Sequence, residues 1–264
     1  MDIPSSLSHT LPFVSGCLFG IRRRSPAALA VLLLCLLTAL PAVAQPPIPE
    51  RLTYDLSWLG IPVGSASQEI SDGDGMRRIV SRARSNAWLS AFYPVDDRTE
   101  TVLSPAGPFP GTVRSFRMVF SEGSWRRDRE ITFDMDRRIA RYHDWITGQE
   151  AEVHLEPPLF DIYGSFYYVR SLPLEVGTSR WVTILDGLKL RRIEVRVVRR
   201  ERVTVPAGTF DTLVVQPEVV EEGVFERKKG ITIWLSDDDR RLPVKARTGV
   251  KVGSVTAELT GVGP

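Results

Sequence analysis

From Leu52 to Thr260 the chain is repeatedly cut by turn-forming residues. Gly60, Asp72-Gly73-Asp74-Gly75, Pro94, Asp134-Met135-Asp136-Arg137, Asp186-Gly187, Pro206-Ala207-Gly208 and Asp237-Asp238-Asp239 interrupt it at spacings that suit short strands rather than helices. The runs between these clusters alternate. Leu52, Tyr54, Leu56 and Trp58 are interleaved with Arg51, Thr53, Asp55 and Ser57, which in a pleated strand puts one set on each face. Ile231, Ile233 and Leu235 share one parity, Thr232 and Trp234 the other, and Pro243 opens the next run, where its missing N–H is tolerated. Short strands joined by close turns predict a mainly β fold: a curved antiparallel sheet forming a barrel or half-barrel.

One helix is expected to pack on that sheet, near residues 159–171. Asp161 suits its N-cap, Ile162, Phe166 and Val169 form an i, i+4, i+7 stripe, and Pro173 ends it. Gly164 inside it costs about 1 kcal/mol against Ala, so packing must hold the helix. A single helical turn is expected over Ala87–Tyr93, laying Trp88 and Phe92 onto the sheet. The change of parity from Leu188 and Leu190 to Ile193, Val195 and Val197 predicts a bulge at Arg191-Arg192.

The first 44 residues read differently. Arg22-Arg23-Arg24, the apolar run from Ala27 to Leu40 and the small residues Pro41-Ala42-Val43-Ala44 predict a cleaved secretory signal peptide over 1–44. Leu34 before Cys35 argues against lipidation, so Cys17 and Cys35 leave with the signal and the mature chain has no thiol chemistry. A proline-rich lead-in, 45–50, would then precede a single β-rich domain, 51–264. Removing Arg22, Arg23, Arg24 and Asp2 from 34 basic and 32 acidic residues leaves the two signs equal, which argues against nucleic acid as a partner. A second long apolar run is lacking, so no transmembrane span is expected in the mature chain. The expected location is exported: periplasmic, or peripheral to the outer membrane.

Catalytic patterns are weak. His143 and His154 lack the spacing of a zinc motif, no G-x-S-x-G elbow is present, and Asp237-Asp238-Asp239 and Asp72–Gly75 are turn chemistry before they are ligands. No catalytic residues, metal or cofactor are therefore expected.

Several motifs together resemble a known family. Leu52-Thr53-Tyr54-Asp55-Leu56-Ser57-Trp58-Leu59-Gly60-Ile61-Pro62-Val63-Gly64, Val205-Pro206-Ala207-Gly208-Thr209-Phe210-Asp211, Ile233-Trp234-Leu235-Ser236-Asp237-Asp238 with Arg241 and Pro243, and Gly253–Leu259 fall in the order seen in exported bacterial proteins grouped as domain of unknown function 3108. The resemblance implies export and a β-rich fold, and carries no catalytic residues. A looser likeness of fold is to LolA-type periplasmic lipoprotein carriers, whose curved sheet covers an apolar cavity; fold does not fix function. The leading expectation is a binding protein of the envelope for a lipid or other apolar small molecule, lined by Trp58, Trp88, Phe166 and Trp234. A structural or assembly factor acting on an envelope protein is the alternative, and a hydrolase with an unrecognised site comes third.

Overall fold

A computed structural model describes residues 45–220 and 230–264; the expected signal peptide lies outside them. The strands are β1 (Glu50–Trp58), β2 (Ile61–Gly73), β3 (Met76–Ser85), β4 (Asp96–Ser104), β5 (Thr112–Glu122), β6 (Trp125–Asp134), β7 (Ile139–Asp144) and β8 (Glu150–His154), then β9 (Ser179–Asp186), β10 (Lys189–Val205), β11 (Gly208–Val220), β12 (Ile231–Ser236), β13 (Pro243–Gly249) and β14 (Ser254–Gly263). Helix α1 (Ala87–Ser90) lies between β3 and β4, and α2 (Ile162–Arg170) between β8 and β9.

All the strands form one 14-stranded sheet in the order β8-β7-β6-β5-β4-β3-β2-β1-β14-β13-β12-β11-β10-β9, antiparallel at every ladder. Two meanders are thus joined where the first strand pairs with the last. The sheet curves without closing, a half-barrel, because β8 and β9 share no ladder. The chain entering α2 draws the two edges together instead: Phe160 N donates to Thr183 O at 2.9 Å, and Leu185 N to Phe160 O at 3.1 Å. Leu185 then packs with Phe116, Ile131 and Tyr142 of the opposite meander.

Period-two patterning explains which face is filled. Ile70, Ile79 and Leu103 are buried, lie on one face and pack with Tyr167 of α2, while Leu52 on the same face packs with Tyr54, Leu242, Val244 and Leu259. From the other meander Val182, Ile193, Val195, Val197, Leu213, Val215, Ile233 and Leu235 surround Val169 and Phe166 of the same helix. The concave face therefore carries the core, and α2 is its plug.

Three local expectations need correction. α1 is a single turn at a strand end, beyond the sheet surface, so Trp88 and Phe92 are 46% and 83% exposed rather than laid on it. The β9–β10 register runs without a break from Lys189 to Arg196; Leu188 is in the turn, Leu190 faces outward, and the irregularity falls between Val197 and Arg199. Gly164 is less a weakness than a requirement: a Cβ there would sit 2.7 Å from Asp161 Oδ2, against the cap itself.

Candidate functional site

Asp161 caps α2 as its position suggests. Oδ1 accepts from Tyr163 N at 2.9 Å, Gly164 N at 3.1 Å and Thr101 Oγ1 at 2.7 Å, which fastens the helix start to β4. Burial pushes the carboxyl pKa up, against the opposing pull of the Thr101 and main-chain hydrogen bonds. Two turns later Arg170 fastens the other end. Its Nη1 and Nη2 meet Glu50 Oε2 and Oε1 at 2.7 and 2.9 Å, with both side chains fully buried. Nε and Nη2 also donate to Arg241 O and Arg240 O, so one guanidinium links α2, β1 and the β12–β13 turn. Its charge is matched by Glu50.

Beside this pair is a group of buried polar atoms. Tyr54 Oη, Gln68 Nε2, Thr99 Oγ1 and Tyr167 Oη have no hydrogen-bond partner among the described residues. Register brings them together: Gln68 faces Ser81, which faces Thr99, and Tyr54 faces Ala66, two residues from Gln68. Burial raises the pKa of both tyrosines, and nearby Arg170 opposes the rise. Arg170 and, less strongly, Gln68 approach the Tyr167 hydroxyl closely enough to favour its ionised form, though neither in good hydrogen-bonding geometry. Each unmet group costs about 1–3 kcal/mol, so their concentration under the concave face is a polar floor that the surrounding packing must offset.

Past that floor, toward the end where β1 finishes, the concave face is only half covered. Leu56, Trp58, Ala66, Ser81, Ala83, Val255 and Ala257 are all half-buried there and share the parity of Tyr54. Four of the seven, Ala66, Ser81, Ala83 and Ala257, are small. Gly64 is kept small by the backbone, since a Cβ would lie 2.1 Å from Arg84 O. A separate small cleft of about 40 Å³ opens between the β9–β10 turn and β5–β7, lined by Met118, Arg127, Arg129, Tyr142 and Asp186 among others. There Arg129 and Tyr142 both bond Asp144 Oδ2, at 2.9 and 3.3 Å. The Thr147 N–H, Arg129 and the Ile146 N–H hold Asp144 well below the usual carboxylate range.

The expected liners are not gathered in one place. Phe166 is on α2 in the core, and Trp58 is at the end of β1 on the same face, its Nε1 donating to Val252 O at 2.8 Å. Trp88 is outside, its Nε1 bonded to Pro62 O at 2.8 Å. Trp234 is buried, but its parity puts it on the opposite face from Ile233 and Leu235, under Lys245 and beside Glu201. His143 is at the surface, with Nδ1 3.0 Å from Glu150 Oε1 and its ring against Trp145. Among the described residues no three His, Cys, Asp or Glu side chains are grouped as metal ligands. Sequence reasoning missed Glu50, Tyr54, Gln68, Thr99 and Arg170. Arg170 alone left a signal, as a charge one turn beyond Phe166 and next to Val169 on the apolar helix.

The model of a family described as "protein of unknown function", DUF3108, matches residues 53–260. The chain belongs to the DUF3108 family. Among solved structures, this DUF3108 chain is similar to a β-barrel-like protein of domain of unknown function 1849 from Brucella abortus, with 12% identity and a TM-score of 0.54, covering 83% of this chain and 98% of that one. A DUF1089 family protein from Pseudomonas aeruginosa has 14% identity and a TM-score of 0.33, covering 68% and 87%. At these identities the first likeness speaks to fold alone. No curated protein matches the DUF3108 sequence.

Proposed function

We propose that this protein is an envelope-associated binding protein for an apolar, lipid-like ligand. It is exported by the segment 1–44 and works in the periplasm or at the inner surface of the outer membrane. The observation that carries the reading is the half-covered concave face that ends in unmet polar atoms. A tail would lie along Leu56, Trp58, Ala66, Ala83 and Ala257, with Phe166 in the packing below and Trp88 outside the entrance. A head would reach Tyr54, Gln68, Thr99 and Tyr167. Because Glu50 already neutralises Arg170, the floor offers hydrogen bonds without net charge. It suits a hydroxyl, ester or amide head better than a phosphate.

The test is extraction of the natively purified protein followed by lipid mass spectrometry, with cell fractionation to check location. The expected result is a co-purifying neutral amphiphile that Ala83→Trp displaces by filling the space above the floor. Protein that is consistently empty, and that binds no fluorescent monoacylglycerol analogue, would overturn the proposal.

A further inference from the structure

The antiparallel order sends the β1–β2, β5–β6, β7–β8, β9–β10 and β13–β14 turns, together with α1, to the same end of the sheet. Apolar side chains are exposed on this end at turn after turn. Leu59 is 58% exposed in the β1–β2 turn, Phe92 83% after α1, and Val252 62% in the β13–β14 turn. Trp145 and Ile146 are exposed in the β7–β8 turn and Leu188 in the β9–β10 turn, while Trp125 flanks the remaining one. The other end is built differently. Four of its turns read Asp74-Gly75, Met135–Arg138, Pro206-Ala207 and Asp237–Arg241, and none of these four exposes a large apolar side chain; Val176, 41% exposed in the connection from α2 to β9, is a single apolar residue there rather than one of a series.

The β13–β14, β1–β2, α1 and β5–β6 tips are fixed to one another in turn as a continuous part of a rim. Leu59 N donates to Ser254 O at 3.1 Å, Trp58 Nε1 to Val252 O at 2.8 Å, Trp88 Nε1 to Pro62 O at 2.8 Å, and Gly123 N to Pro94 O at 2.8 Å. From these observations we infer that the rim docks on a lipid bilayer. A protein partner requires a contiguous, shape-complementary patch, and these side chains stand on separate turns around an opening. A bilayer needs only that they reach a common plane. The mixture fits its layers: aliphatic and Phe tips for the acyl boundary, and Trp88, Trp125 and Tyr93 for the interfacial zone, where aromatic rings with one polar group collect. Basic groups stand behind them. Arg126 donates to the main-chain oxygens of Gly123 and Trp125 and has no carboxylate partner among the described residues, and exposed Lys251 adjoins Val252. Both suit anionic headgroups.

This inference does not rest on the proposed ligand, and the two fail separately: one is read by vesicle binding, the other by lipid content. The experiment is flotation of the protein, purified from cells, with vesicles of phosphatidylethanolamine and phosphatidylglycerol, alongside tryptophan quenching by brominated lipid. The expected result is binding with quenching that Trp88→Phe reduces. Leu59→Asp, Phe92→Asp and Val252→Asp should each weaken partition by about tenfold or more, while Val262→Asp, near the opposite end of β14, leaves it unchanged. All four sites are exposed, and an unaltered melting temperature confirms folding. Absence of vesicle binding, or equal binding by the rim variants, would overturn the inference. So would a dimer in solution that the rim substitutions dissociate, because a second copy would then be the occupant.

Discussion

Glu50→Gln should be among the most damaging single substitutions in this protein, although it changes one atom. The Glu50–Arg170 pair is bidentate, at 2.7 and 2.9 Å, and fully buried. In the variant the amide NH2 of residue 50 would face guanidinium N–H, donor against donor, and the Arg170 charge would have no counter-ion. Leaving one member of a buried pair unmatched costs about 3–5 kcal/mol. For a domain of this size each kcal/mol moves Tm by about 2–4 °C, so the midpoint should fall by roughly 6–20 °C. Urea unfolding of the wild type, Glu50→Gln, Arg170→Met and the double variant closes a thermodynamic cycle. The double variant should lose far less than the two singles together, because no charge is stranded. Its remaining deficit comes from Arg240 O and Arg241 O, which lose their donor at about 1 kcal/mol each. Additivity within about 0.5 kcal/mol would show that the two side chains do not act as a pair and would refute the reasoning.

Other expectations follow from the same interior. Asp161 has a raised pKa when folded, so the native state holds its proton more tightly and this residue's contribution to stability falls as pH rises from the unfolded value near 3.8 through the folded one. Asp161→Asn keeps the acceptor for Tyr163 N and Gly164 N and should flatten that decline, as read by urea midpoints across pH 4–7; Asp161→Ala should cost about 0.5–2 kcal/mol through loss of the cap. Tyr54→Phe and Tyr167→Phe remove buried hydroxyls without partners, so in ligand-free protein each should be neutral or slightly stabilising by thermal melting, yet each should reduce retention of a neutral amphiphile. Gly64→Ala would push a methyl against Arg84 O and force β2 from β3, at about 1–3 kcal/mol by equilibrium unfolding.

Much of the architecture was legible because strand parity and turn chemistry are local. Leu52, Tyr54 and Leu56 alternate as the β1 pairing requires, and Asp161 caps the helix where it was expected. What failed depended on where an element ends in space. Ala87–Tyr93 has helical chemistry, but α1 stops at Ser90 beyond the sheet surface, so the i, i+4 relation of Trp88 and Phe92 has nothing to pack on. Trp234 illustrates a different limit. Its opposition to Ile233 and Leu235 was readable, but the choice of inner face awaited α2, which packs against Ile233 and Leu235. The polar floor was illegible for a stronger reason. Tyr54 has the parity of a core residue, and only the placement of Gln68, Thr99 and Tyr167 around it leaves its hydroxyl without a partner.

The floor and the rim are both unfavourable in an isolated, water-surrounded chain, and neither is demanded by the sheet. Its polar turns, at Asp74-Gly75 and Asp237–Arg241, reverse the same kind of strand without exposing large apolar side chains. Phenylalanine in place of Tyr54 or Tyr167 would fill the same volume with no unmet hydroxyl. Both departures lie toward one side of the half-barrel, the floor below the open concave face and the rim around it. A surface that lowers its own free energy by meeting lipid, leading to an interior that lowers its own by meeting a polar head, is the arrangement an amphiphile leaving a bilayer would encounter in that order. On the proposed reading, stability is lost at the two places where such a molecule would restore it, while the hairpin turns Asp74-Gly75 and Asp237–Arg241 at the opposite end are built without that loss.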